Sequence, residues 1–145
     1  MKKIFFLLLC SFFFASFSYG QCKARAIVKF CKADLKPFKY DAYAMNEIEY
    51  KTEKQIVPVE FTALQGNEYK LVFCTSELPL AVGITIYDKP KYNKKRKILY
   101  FDENSKDGFL CAFKPEKTGT FYIEYSVPAS KDPKKGCVVM LIGLK

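Results

Sequence analysis

The sequence predicts an all-β protein, an antiparallel, jelly-roll-like sandwich of about eight strands with a short N-terminal helix. Three observations predict it. Turn-forming groups recur at short intervals: Gln65-Gly66-Asn67, Asp107-Gly108, Thr118-Gly119, and Asp132-Pro133 through Gly136. Between them apolar residues alternate, as in Tyr69, Leu71 and Phe73, in Phe109, Cys111 and Phe113, and in Phe121, Ile123 and Tyr125. Finally, the run from Val138 to Ile142 is apolar on both faces, which suits a central strand.

Each element follows from local pattern. Residues 22–34 read as a helix, because Ala26, Ile27, Phe30 and Cys31 fall on one stripe at helical spacing. Pro37 ends it, and residues 35–44 are expected to be irregular. Strands are expected at 47–51, 55–64, 69–75, 82–87, 97–102, 108–114, 120–127 and 137–144. The chain shows no internal repeat and no linker. It therefore reads as one domain over 21–145, with the sandwich at 46–145.

The first twenty residues predict a cleaved export signal. Lys2 and Lys3 precede a largely apolar run from Ile4 to Ala15, and Ser18 and Gly20 stand three and one before Gln21. The run is shorter than the roughly 20 residues that cross a membrane. Cleavage is expected between Gly20 and Gln21. Cys22 lies near that cut, but Gln21 and Tyr19 occupy the places where a lipid-attachment signal needs a small and an aliphatic residue, so Cys22 reads as a disulfide partner. The chain ends at Lys145, directly after the last strand, and is expected to lack a sorting tail. The expected location is secreted or periplasmic, with no transmembrane span after cleavage.

The whole chain carries 24 basic and 15 acidic residues, a net +9; loss of the two signal lysines leaves +7. Export argues against nucleic acid as partner. Lys89, Lys91, Lys94, Lys95, Arg96 and Lys97 cluster in one loop. That loop reads first as a solvated hairpin connection, and second as a contact for anionic lipid or acidic glycan.

Five cysteines follow the signal, an odd number that implies two disulfides and one free thiol in an oxidising compartment. Cys111 shares a face with Phe109 and Phe113 and is the candidate for the buried free thiol. Cys22, Cys31, Cys74 and Cys137 remain as disulfide candidates. Cys22 and Cys31 are nine residues apart, about half a turn out of phase at roughly 100° per residue. They are expected to staple the helix to the strands of Cys74 and Cys137 rather than bond each other; which joins which is open.

Chemistry is narrowed by what is missing. The sequence has no His, which removes Ser-His-Asp and Cys-His catalysis. No CxxC pair occurs, which leaves thioredoxin-like and zinc chemistry without support. Ser105-Lys106 and Ser130-Lys131 fall in expected turns. Asp88, Asp102 and Glu103 flank the basic loop and read as strand-end residues rather than a hydrolytic pair. The stretch Asp102 to Gly108 has oxygen donors at the wrong spacing for a calcium loop. Tyr40, Tyr43, Tyr50, Tyr92 and Tyr100 could stack on sugars, but Tyr is also a good strand residue. No catalytic residue, metal or cofactor is assigned.

Tyr69 to Cys74, Val82 to Asp88, Ile98 to Asp102, and Phe113-Lys-Pro-Glu-Lys-Thr-Gly-Thr-Phe121 run in an order similar to pre-peptidase C-terminal and GOLD-type β-sandwich domains. A second set of motifs is the cysteine-bearing segment Cys22 to Cys31, Pro37-Phe38-Lys39-Tyr40, Tyr69 to Cys74, and Gly136-Cys137 through Lys145. It resembles small secreted bacterial proteins of unassigned activity; Cys111 lies outside their pattern. The resemblance implies a fold and a compartment, and no catalytic residue. The function expected is non-catalytic binding of a protein or envelope component. The alternative is a carbohydrate- or anionic-surface-binding module using loop 89–97, and the third reading is a small hydrolase.

Overall fold

Alternation of inward and outward side chains produces eight strands, β1 (Lys39–Tyr50), β2 (Gln55–Ala63), β3 (Tyr69–Cys74), β4 (Gly83–Tyr87), β5 (Ile98–Asp102), β6 (Phe109–Phe113), β7 (Gly119–Val127) and β8 (Lys134–Leu144). They are seen in a computed structural model that describes residues 22–105 and 108–145. The expected export signal lies outside the described residues. The strands form two antiparallel four-stranded sheets, ordered β1-β8-β3-β6 and β2-β7-β4-β5. Every connection crosses between the sheets except β4 to β5, a jelly-roll order within the sandwich class expected from sequence.

The main core lies between the sheets. Leu71, Phe73 and Met140 of the first sheet face Ile84, Ile86, Ile123 and Tyr125 of the second. Full burial of each such side chain stabilises the fold by about 1.5–3 kcal/mol. The Tyr125 hydroxyl donates across the core to Asn46 Oδ1 at 3.4 Å. At one end of the core Phe61, Tyr69, Phe113 and Phe121 pack edge-on, stacked or tilted, with ring centroids 4.8–6.3 Å apart.

Strand β8 is central, between β1 and β3, and buried on both faces. Its outward residues Cys137, Val139 and Leu141, with Val72 and Cys74 of β3, meet Ile27, Cys31 and Leu35 in a second, smaller core. Those three come from helix α1 (Ala24–Cys31) and the 3-10 turn Lys32–Leu35 that continues it. The helical segment is thus broken in character where 22–34 was expected as one helix. Disulfides Cys22–Cys137 and Cys31–Cys74 pin its two ends to β8 and β3, with Cα atoms 6.1 and 6.4 Å apart. Cys111 is free and buried in the main core.

Strand β1 corrects the expectation of an irregular 35–44 segment and a sandwich beginning at 46. It starts at Lys39 and pairs with β8 almost to that strand's end, Lys39 lying opposite Leu144. Its inward positions include Ala42, Ala44 and Asn46, poor strand formers that conceal the alternation. Pro58 sits inside β2, which is tolerated because β2 is an edge strand.

Candidate functional site

The β4–β5 connection is an ordered loop. Its neck closes where the Asp88 carboxylate accepts from the Lys97 backbone N–H at 2.6 Å and the Asp88 N–H donates to the Lys97 carbonyl at 3.2 Å. Two turns follow inside it: the Asn93 N–H donates to the Pro90 carbonyl, and the Asn93 side chain accepts from the Lys95 N–H, both at 2.9 Å. Tyr92, at 87% the most exposed large apolar side chain among the described residues, belongs to this loop.

The six cations of this loop do not act alike. Arg96 folds back onto the outer face of the second sheet, where its guanidinium donates to Glu124 at 2.7 Å and lies 3.8 Å over the Tyr87 ring. The Glu124 hydrogen bond holds the guanidinium pKa above its ordinary value. Lys89 lies 3.9 Å from Asp88 and reaches the Lys95 carbonyl. Lys91, Lys94, Lys95 and Lys97 remain exposed.

The loop also forms one wall of a cleft of about 650 Å³. Leu99, Tyr100, Phe113 and Phe121 line it with apolar surface, and Lys97, Lys114 and Lys117 line it with positive charge. The wall opposite the loop comes from the end of β6 and the 114–119 turn, so both sheets contribute. The Tyr100 hydroxyl donates to the Ala112 carbonyl at 2.9 Å, linking edge strand β5 to edge strand β6. Burial pushes the Tyr100 phenol pKa up. Lys114, Lys117 and the aromatic floor were not singled out from sequence as a site; only the Thr118-Gly119 turn signalled that a loop lay there.

The remaining candidates are structural. Asp102 accepts from the Asn104 N–H at 3.0 Å and the Ser105 hydroxyl at 2.8 Å, the pattern of a strand-end turn. Ser130 donates to the Asp132 carbonyl at 2.8 Å. Lys106 and Asp107, in the stretch compared with a calcium loop, lie outside the described residues. The five tyrosines do not form one surface: Tyr50 is buried and donates to the Leu80 carbonyl, Tyr100 bonds Ala112, and Tyr40 lies 4.7 Å below the Lys32 ammonium. Among the described residues no group of three or more His, Cys, Asp or Glu could hold a metal ion, and no helix is long and apolar enough to cross a membrane.

No family model and no curated protein matches this chain. Among solved structures, the fold is similar to that of Aeromonas hydrophila PliG, a periplasmic lysozyme inhibitor of g-type lysozyme. The identity is 7%, the match covers 76% of this chain and 90% of that one, and the TM-score is 0.46. A likeness this distant bears on neither activity nor partner.

Proposed function

We propose that this chain is an exported, non-catalytic binding domain that engages an acidic envelope component, protein or glycan, at the cleft between the 88–97 loop and the 114–119 turn. The observation that carries the reading is the composition of that cleft. An apolar floor of Leu99, Phe113 and Phe121 lies under a rim of Lys97, Lys114 and Lys117, and Lys91, Lys94 and Lys95 extend the positive field outward. Two acids also line the cleft, Asp88, whose carboxylate closes the loop neck, and Glu116, so the three lysines leave it with a net positive lining. A hydrolytic role has less to stand on, because Asp88 and Asp102 are both engaged in turn closure.

Titration calorimetry with an acidic oligosaccharide, an acidic peptide and a neutral oligosaccharide tests the proposal. Binding of an acidic probe that weakens with salt and is lost in Lys97→Glu/Lys114→Glu/Lys117→Glu is expected. Equal binding by parent and variant would overturn it.

A further inference from the structure

A second cluster of exposed positive charge lies outside the basic loop. Between residues 22 and 39 the chain carries Lys23, Arg25, Lys29, Lys32, Lys36 and Lys39 against one acid, Asp34. The fold fixes where these point. Ile27, Cys31 and Leu35 are the buried stripe, and a disulfide anchors each end of the segment. Lys23, Arg25, Lys29, Lys32, Lys36 and Lys39 are all exposed. None of the six takes part in an ion pair found among the described residues. Lys70 joins this side from β3, its ammonium donating to the Lys36 carbonyl at 3.1 Å. Phe30, on the same helix, stands 80% exposed and borders a pocket shared with Asp34, Val72 and Leu110.

We infer that this stapled helix face docks on an anionic lipid surface, with the cations in the headgroup layer and Phe30 inserted at its inner boundary. The helix spends its apolar stripe on the sheet, so what it offers a membrane is exposed basic charge, which anionic headgroups attract, and the single exposed ring of Phe30. A bilayer supplies both parts, many mobile anions and hydrocarbon below them, without a shaped pocket. The staples mean the face is formed before contact, so no helix has to fold on the membrane. The acids nearby are Asp34 of the segment itself and the exposed Asp41, Glu47 and Glu49 of edge strand β1, where Glu49 faces Lys135 at 3.9 Å; the six cations and Lys70 outnumber them. This face covers the first sheet, whereas Arg96 of the basic loop lies on the outer side of the second. The inference is therefore separate from the cleft.

The sequence has no Trp, so Phe30→Trp places a single indole reporter on the face. With the disulfide-bonded protein, vesicles of phosphatidylcholine mixed with phosphatidylglycerol are expected to shift its emission to the blue, and pure phosphatidylcholine vesicles are not. Each basic residue near such a surface changes partitioning about five-fold. Lys23→Glu/Arg25→Glu/Lys29→Glu is expected to lower partitioning by about a hundred-fold or more, and Phe30→Ser by about ten-fold. All four positions are exposed, and near-ultraviolet circular dichroism checks that the fold is kept.

Three results would each overturn the inference: no emission shift, equal partitioning of the triple variant and the parent, or binding to a soluble polyanion without binding to vesicles. Lys91→Glu/Lys94→Glu/Lys95→Glu separates the two surfaces. Loss of vesicle binding in that variant but not in the helix variant would move lipid contact to the loop and overturn the helix inference alone.

Discussion

The guanidinium of Arg96 donates to the carboxylate of Glu124 across 2.7 Å, on the outer face of the second sheet. This contact withdraws one cation from a loop that reads from sequence as uniformly basic, and it ties the loop to β7. Both side chains are largely shielded, at 22% and 12% exposure, so the bond is worth more than an exposed ion pair. Glu124→Gln keeps the shape and removes the charge. It is expected to cost about 1–2 kcal/mol in urea unfolding. Faster amide exchange at Lys95 and Arg96 should accompany the loss. Unchanged stability and exchange would show that Tyr87 alone holds the arginine.

The two disulfides are expected to differ in weight. Cys22–Cys137 spans 115 residues of sequence and Cys31–Cys74 spans 43. In the chain-entropy description they restrict the unfolded chain by about 5 and about 4 kcal/mol. Cys22→Ala/Cys137→Ala should therefore be the more destabilised pair, by about 1 kcal/mol in denaturant unfolding. The sheets bury a core of their own, so both variants are expected to retain β-type circular dichroism while losing helix protection in hydrogen exchange.

Much of this arrangement was legible in the residues. The central place of β8 showed in the unbroken apolar run from Val138 to Ile142, and the inward side of β6 showed in Phe109, Cys111 and Phe113. The spacing of Cys22 and Cys31 argued only against a bond between them, and it assumed one helix over 22–34, whereas Cys22 lies ahead of the helix that starts at Ala24. The start of β1 was hidden because Ala42, Ala44 and Asn46 face inward while Tyr43 and Met45 face solvent. The cleft was not legible, because Lys97 and Lys114 meet only through the approach of two edge strands far apart in sequence. The helix charge was present in the sequence, but which cations share a face depends on how the staples orient the helix.

Cys111 gives a pH dependence with a definite sign. Burial pushes its thiol pKa from 9.0 up to about 12, against a small opposing hydrogen bond with the Leu71 backbone. Between those values the unfolded chain loses this proton and the folded chain keeps it. Stability contributed by the neutral thiol is present below pH 9 and falls as pH rises toward 12. Tyr125 and Tyr50 add to the same trend, since burial raises their phenol pKa values as well. Cys111→Val is expected to flatten part of the alkaline decline in thermal unfolding, and the native thiol should resist iodoacetamide at pH 8 until denaturant is added. Rapid labelling of the native protein would show that the β6 side of the core opens.

Gly136 tests how tightly the segment before β4 closes over β8. A Cβ at this position would lie 2.8 Å from the Glu77 carbonyl oxygen, 2.9 Å from Pro79 Cδ and 3.0 Å from Leu78 Cδ2. The first of these is backbone and the second a ring, so neither can swing aside as a flexible side chain would. Gly136 lies opposite Ile48 in the β1–β8 ladder, and the 77–79 segment has to move if the ladder stays. Gly136→Ala is expected to cost about 1–3 kcal/mol, the usual range for forcing atoms into a filled site. Gly119→Ala is the matched control, because its Cβ would meet nothing closer than the Lys117 carbonyl at 4.0 Å. Thermal unfolding of the pair should show a clear drop for the first and little change for the second. Equal melting of the two variants would mean that residues 77–79 yield without cost, and that the contact over β8 is loose.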